Sequence, residues 1–556
     1  MSVVGSDHNA QRPRFKFRIS SRYAPIFWVA LFYTILGISA CQNVDNVSQS
    51  QVFRYNEDAS VNTLDPAFAK SQSELWIVSQ LFNGLVELDS ALGVVPALAK
   101  HWEVSEDGTK YRFDLRTDVW FCETSGVSSN QLLSNDVVAT FRRLIDPKTA
   151  SPGAWIFVDK VKGPESFQAI DDSTLSIELT RPFPAFLSLL SMNFAYIMPE
   201  EWTQKEKSFL ARNACGTGPF YLKRWEQEVK MVLRKNPHYF EFDGPNRLPH
   251  LQAVNIDFVK NKQTAFMQFV SGKYDFFNGL ESSIKDELFS KEGELNAAYR
   301  RQFQAILTPF LNTEFIAFNL GESGPAVLRD KFFRLALSSA VDREGLVRFL
   351  RNGVGDPAHQ GFVPPSLMSQ SVKGQQLDVS KAIEYLQAST YKGEILTLAT
   401  TSDYLDMAIY LQKAWENLGI NIRVQVESGG MLRQKRNQGD LQLYRGSWIA
   451  DYPDAENYLS CFYSAYQFPN GPNYSRFSNA EFDAQYETVA GLGSASGAKL
   501  NRALLLAQAD QLLMDEGAVI VLYYDKSVRL VQNQVRGLGN DPANRLILKR
   551  VFKTTP

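Results

Sequence analysis

Histidine and cysteine are scarce in this chain, with five and four residues among 556. His8, His101, His238, His250 and His359 stand too far apart to form a local pair with metal-ligand spacing, which argues against a metal centre. The strings His-Glu-x-x-His, Gly-x-Ser-x-Gly and Gly-x-x-x-x-Gly-Lys-Ser/Thr are all missing, so the common signatures of metalloproteases, serine hydrolases and P-loop nucleotide binders are absent. Gly353, Gly355 and Ala358 copy the spacing of a dinucleotide loop, but they follow a helical pattern instead of a strand, and Pro357 interrupts them. No cofactor is expected. A charge excess is missing too: 58 basic and 60 acidic residues leave −2, so no overall field favours nucleic acid or acidic lipid. The chain also lacks internal repeats and low-complexity blocks, and 44% apolar with 21% charged residues describes ordinary globular protein of more than one domain.

What is present begins at the N-terminus. Arg12, Arg14, Lys16, Arg18 and Arg22 precede an apolar run from Tyr23 to Leu36. The run is shorter than the roughly 20 residues that span hydrocarbon comfortably, so it reads as a secretion signal in preference to a permanent membrane helix. Ile38-Ser39-Ala40-Cys41 then resembles a bacterial lipobox, which implies removal of residues 1–40, acylation of Cys41 and a membrane anchor through that lipid. Residues 41–51 are polar, contain no aromatic side chain and suit a tether. Cys122, Cys215 and Cys461 remain, enough for at most one disulfide, with no pairing assigned.

Beyond Phe53 short strands alternate with amphipathic helices, the pattern of an α/β protein. Asp406 to Leu418 has helical spacing and stops at Gly419, and Ile420 to Val426 then alternates as a half-buried strand. Leu441 and Leu443 lead into a second strand through Tyr444, Arg445, Gly446, Ser447 and Trp448, whose end is polar and aromatic. Strand ends of this kind line ligand clefts in open α/β sheets. The pattern also predicts a helix capped by Asn135 and ended by Asp146-Pro147, a helix over Gln263 to Val270 followed by a strand over Tyr274 to Phe277, a helix from Ala498 to Met514, and a strand from Ala518 to Tyr524.

Several strings share one order along the chain: Asn62-Thr63-Leu64-Asp65-Pro66, Leu81-Phe82-Asn83-Gly84-Leu85, Pro96-Ala97-Leu98-Ala99, Asp146-Pro147-Lys148-Thr149, Gly216-Thr217-Gly218-Pro219-Phe220, Asn236-Pro237-His238-Tyr239, Ala340-Val341-Asp342-Arg343-Glu344 and Trp448-Ile449-Ala450-Asp451-Tyr452-Pro453-Asp454. Together they resemble the extracellular solute-binding proteins, family 5, that serve peptide and nickel importers. Each string read alone has turn or scaffold chemistry. The resemblance implies a type II periplasmic-binding-protein-like fold with three lobes, a hinge and an interlobe cleft. Lobe I is expected from residues 52–87, 216–310 and 525–556, lobe II from 88–215, and lobe III from 311–524. The implied protein is no enzyme: it is a monomeric receptor in the cell envelope that captures a short peptide and hands it to the membrane subunits of an ABC importer. A related binder of an oligosaccharide, metal complex or haem is the alternative, and a secreted hydrolase a more distant one.

The resemblance also assigns roles. Asp451 matches the aspartate that pairs with a peptide's α-ammonium, and the strand through Arg445, Ser447 and Trp448 matches one that grips an extended peptide by strand addition. Arg445 matches an arginine that helps to neutralise the ligand carboxylate, and Lys70, Ser71 and Gln72 match the contacting segment of lobe I. Arg436 is a further basic candidate near the cleft. The chain departs from the oligopeptide-binding pattern in having Lys70 in place of an acid, Gly153 and the region of Gly429 in place of aromatics, and Asn312 and Ile449 in place of a cysteine pair. Ligand length and side-chain preference are therefore left open.

Overall fold

The computed structural model describes residues 51–122, 128–278, 282–492 and 496–554. The secretion signal, Cys41 and residues 41–50 of the tether lie outside the described residues. Gln51, the last residue assigned to the tether, is already part of the folded body: its side-chain amide donates to Lys553 O at 2.7 Å, and its own carbonyl accepts from Gln252 N–H at 2.9 Å.

Eleven described strands form one large sheet whose two halves are joined by two long antiparallel strands, Phe303–Phe318 and Val519–Gln532. On one side lie, in order outward, Phe276–Asn278, Val52–Asn56, Ala253–Asp257, Lys230–Lys235 and Phe220–Glu226. On the other side lie Leu443–Ile449, Leu396–Thr400 and Ile422–Val426, and the eleventh strand, Asp356–Pro357, pairs with Val519–Gln532 off this path. Alternation explains the first half: Phe53 and Tyr55 are fully buried on one face of Val52–Asn56 and pack with Trp76, Phe276, Val254 and Ile256. The second half carries its own cores, one around Trp415, Leu398 and Phe333 and another around Phe362, Tyr458 and Phe482. A separate four-stranded antiparallel sheet, Ala99–Val104, Lys110–Leu115, Thr174–Glu178 and Phe167–Asp171, packs with the helix Ser134–Ile145 over Phe113, Phe141 and Phe157.

The joining strands pair continuously from Phe303 opposite Gln532 to Pro309 opposite Lys526, then shift register before Thr313 opposite Tyr524. A proline has no N–H to donate, so the ladder breaks there and the strands can bend at that point. The loop 361–363 braces the break from outside: Phe362 O accepts from Thr313 Oγ1 at 3.0 Å and Gly361 O accepts from Tyr524 Oη at 2.6 Å.

Most predicted elements are present with shifted ends. The helix Leu405–Glu416, Gly419 at φ +81° and the strand Ile422–Val426 follow the pattern read from sequence. The strand Val519–Gln532 runs well beyond Tyr524, and Phe276–Asn278 begins two residues later than expected. Asn135 is not a cap. It lies inside Ser134–Ile145, whose start is organised by Asp136 accepting from Leu133 N–H and Glu200 N–H, each at 2.8 Å. The Asn62 to Pro66 string serves the scaffold: Asp65, buried, receives Ala67 N–H at 3.1 Å and the Arg143 guanidinium at 3.1 Å, tying the two sheets' layers together.

Candidate ligand-binding site

The strand Leu443–Ile449 pairs along its whole length with Asn312–Phe318 on one side. Its other side meets Leu396–Thr400 only at Leu443 and Tyr444. From Arg445 to Ile449 that second edge therefore has no strand partner among the described residues, which leaves main-chain donors and acceptors free for an added strand. Gly446 is required within this stretch because the Phe315 ring lies over it: a Cβ there would stand 2.4 Å from Phe315 Cε2. Asn312 and Ile449, where the oligopeptide binders carry a cysteine pair, are direct partners across this ladder.

Asp451 stands two residues beyond the end of the strand. Asp451 as a whole residue is exposed, yet enough protein surrounds its carboxyl that desolvation raises its pKa above the usual aspartate range, opposed by one hydrogen bond from Asn457. Asn457 Nδ2 donates to Asp451 Oδ2 at 3.3 Å, and Asn457 Oδ1 accepts from Asp451 N–H at 3.1 Å. Trp448 Nε1 donates to that same Oδ1 at 3.1 Å, so Trp448 and Asp451 are tied to one side chain. Among the described residues no basic group is paired with Asp451. Nor does Asp451 cap the following helix: Asp454 does, accepting from Glu456 N–H at 2.9 Å, and Arg502 binds Asp454 at 2.8 Å.

Arg445 and Ser447 project from the other face of the strand. Ser447 Oγ donates to Asn312 Oδ1 at 2.7 Å. Arg445 places Nε 2.9 Å from Glu314 Oε2, and Nη2 donates to the same oxygen, while the guanidinium lies 3.6 Å from the centre of the Tyr404 ring. Much of its charge is thus already met by a carboxylate within the protein. Arg351 belongs to the same cluster, 2.8 Å from Asp525 and 5.2 Å from the Tyr523 ring centre. Its field, after burial, also helps to push Lys285 down to about 8.

The remaining candidates have local partners. Ser71 caps the helix Gln72–Leu81 and closes a capping box with Glu74, which also accepts from Lys70 N–H at 3.1 Å. Gln72 and Asn544 bond reciprocally, at 3.3 Å to the Asn544 carbonyl and 3.2 Å between side chains. The Lys70 side chain is exposed. Arg436 stacks on Tyr474 at 3.7 Å, and its Nε is buried without a hydrogen-bond partner. Among the described residues no hydrogen bond joins these candidates to Asp451.

Tyr452, one residue beyond Asp451, crosses to the four-stranded layer. Its ring packs with the core of that layer, 6.2 Å from Trp155 and 6.4 Å from Phe183 between centroids. Its hydroxyl donates to Glu456 Oε2 at 2.5 Å, and Tyr486 donates to Oε1 of the same buried carboxyl. The segment carrying Asp451 is therefore clasped between two separate cores. A cavity of about 680 Å³ lies elsewhere, lined by Asn135, Arg142, Asp146, Lys162 and Glu200, and contains none of the candidate ligand-binding residues. Asn457, Glu314, Tyr404 and Arg351 escaped the sequence reading. Asn312 and Glu314 carried a signal, as buried polar residues in a largely apolar strand.

A model of the family described as bacterial extracellular solute-binding proteins, family 5, middle region, matches residues 93–470. The periplasmic murein peptide-binding protein of Escherichia coli is 26% identical over 523 residues, covering 88% of this chain and 90% of that protein. The probable deoxycholate-binding periplasmic protein of the same organism is 27% identical over 536 residues, covering 91% and 94%. The solved structure of HbpA2 from Haemophilus parasuis superposes with a TM-score of 0.79 at 21% identity, covering 91% of this chain and 100% of the other. The fold is that of the type II periplasmic binding proteins, as the sequence resemblance implied. With the family model matched over most of its length, the chain belongs to the bacterial extracellular solute-binding proteins, family 5.

Proposed function

We propose that this protein captures short peptides in a cleft beside Leu443–Ile449 and delivers them to an ABC importer without chemical turnover. The observation that carries the reading is the open strand edge from Arg445 to Ile449, which runs into the unpaired carboxylate of Asp451. A peptide laid on that edge satisfies its amides by strand addition whatever its sequence, and its α-ammonium falls to Asp451. Its carboxylate runs toward Arg445, Arg351 and Lys285. Arg445 and Asp451 are six positions apart, at most about 20 Å at strand rise, which fits a ligand of roughly six residues or fewer. A carboxylate at this position also favours a cationic group over the anion of a bile acid, the ligand class in the name of one relative.

In this reading the three lobes carry the boundaries given by the sequence, hinge motion occurs at the register shift near Pro309, and Tyr452 seals the closed form against Trp155 and Phe183. The protein acts as a monomer held to the envelope membrane through acylated Cys41. Asp451→Asn tests the central claim. Removing one partner of a desolvated ion pair costs about 3 to 5 kcal/mol, on the order of a hundredfold or more in affinity. Asn still accepts one hydrogen bond, so part of the loss is recovered. Calorimetry of free and N-acetylated peptides against both proteins should show strong coupling. Equal binding of both peptide forms by both proteins refutes the assignment.

A further inference from the structure

We infer that Asn457 is the positioning residue of this site, fixing the Asp451 carboxylate and the Trp448 indole in one arrangement ready for an ammonium group. The inference rests on the peptide-binding reading above. Asn457 is 5% exposed and stands within the short helix Ala455–Leu459, six residues after Asp451. Its Oδ1 receives two N–H donors, from the Asp451 main chain and from the Trp448 ring, each at 3.1 Å. Turning the amide over would aim its NH₂ at both donors, so the donor end is held toward Asp451 Oδ2, at 3.3 Å. One buried amide therefore sets the direction of the carboxylate, the position of its main chain and the plane of the aromatic wall beside it.

The same contact bears on charge. Burial raises the Asp451 pKa, and the Asn457 hydrogen bond is what opposes that rise. Among the described residues the Asp451 charge reaches Tyr458, on the Asn457 helix, and Cys461, just after it; burial is what mainly pushes both upward, so they are neutral at ordinary pH. Without the Asn457 donor, Asp451 keeps its proton to higher pH and presents less charge to an ammonium.

Two variants separate positioning from mere support. Asn457→Leu removes all three hydrogen bonds, whereas Asn457→Asp keeps the two accepted bonds and replaces the donor with a second carboxylate. Peptides retained by the wild type from a library of free-amino tri-, tetra- and pentapeptides supply the probe, which calorimetry then compares with its N-acetylated form from pH 5 to 8. Asn457→Leu should weaken the free-amino peptide about tenfold to a hundredfold, as loss of a hydrogen bond to a charged group predicts, and should shift its binding profile to higher pH. Asn457→Asp should bind poorly at neutral pH and recover on acidification, when a shared proton restores a donor. Thermal unfolding establishes that each variant is folded. Should the wild type retain no peptide, or bind free and acetylated forms alike, the peptide reading falls and this inference with it. Should the wild type discriminate while either folded variant keeps both its affinity and its pH profile, the Asn457 inference alone is overturned.

Discussion

Replacing Glu314 with Gln probes the charge cluster behind the open strand edge. Glu314 is 1% exposed in the middle of a long strand, with Arg445 Nε at 2.9 Å and Asn312 Nδ2 at 3.1 Å from its two oxygens. Gln occupies almost the same volume, so the substitution changes charge and hardly touches packing. Stripping one partner from a buried pair costs about 3 to 5 kcal/mol because the other charge is left uncompensated. Two features reduce that figure here. The Arg445 side chain is 16% exposed, and its guanidinium keeps the Tyr404 ring, a contact of about 0.5 to 2 kcal/mol. A net loss of about 2 to 4 kcal/mol follows. Urea unfolding of wild type, Glu314→Gln, Arg445→Met and the double variant at neutral pH supplies both the cost and the coupling. The two single changes should each be costly and the double variant much less so than their sum. Glu314→Gln within about 0.5 kcal/mol of wild type, or strict additivity, would refute the idea that the protein itself neutralises Arg445.

A second prediction concerns Asp510, fully buried, accepting from Phe362 N–H at 2.8 Å and Val363 N–H at 3.2 Å, with burial raising its pKa to about 7. The folded state then holds a proton that the unfolded chain releases near pH 4, so this group's contribution is complete below pH 4 and is lost as pH rises toward 7, at up to about 1.4 kcal/mol per pH unit. Urea unfolding from pH 4 to 8 should show that decline reduced in Asp510→Asn; an unchanged slope refutes it. A third concerns Cys41: Cys41→Ala should give a soluble or unprocessed form, and a native protein that begins elsewhere without acyl mass refutes the anchor.

The large-scale architecture was legible because each element announces itself over many residues. The helix Leu405–Glu416 and the strand Ile422–Val426 repeat their buried positions at fixed periods, and Gly419 marks the change between them with a left-handed turn. The Asn135 cap was misread for a local reason. Asparagine often caps helices, but here Ser134 is drawn to the Asp171 carbonyl, 37 positions away, and Asp136 accepts from Leu133 N–H nearby and from Glu200 N–H 64 positions away; the two distant contacts are in no local pattern. The extent of Val519–Gln532 was underestimated for a similar reason: Lys526, Ser527 and Arg529 interrupt the apolar run, yet pairing with Phe303–Phe318 continues through all of them.

The candidate site divides along the same line. Asp451, Ser447 and Trp448 lie within five consecutive residues, and the resemblance that singled them out rests on the shared order of several strings, the last of which runs from Trp448 to Asp454. What each side chain is free to do depends on partners far off in the chain. Arg445 reads as a spare cation until Glu314, 131 positions away, is found beside it. Ser71 and Gln72 read as ligand contacts, yet one closes a capping box and the other is engaged by Asn544, 472 positions away. Asp451 is the contrasting case. Its one side-chain partner among the described residues is an amide six residues on, which orients the carboxylate without neutralising it. A charge left unmet in partly desolvated surroundings is costly to maintain, and a cationic group placed beside it would remove that cost. By that criterion Asp451 is the strongest of the sequence candidates, and Arg445 contributes more to holding the strand in place than its position in the motif suggests.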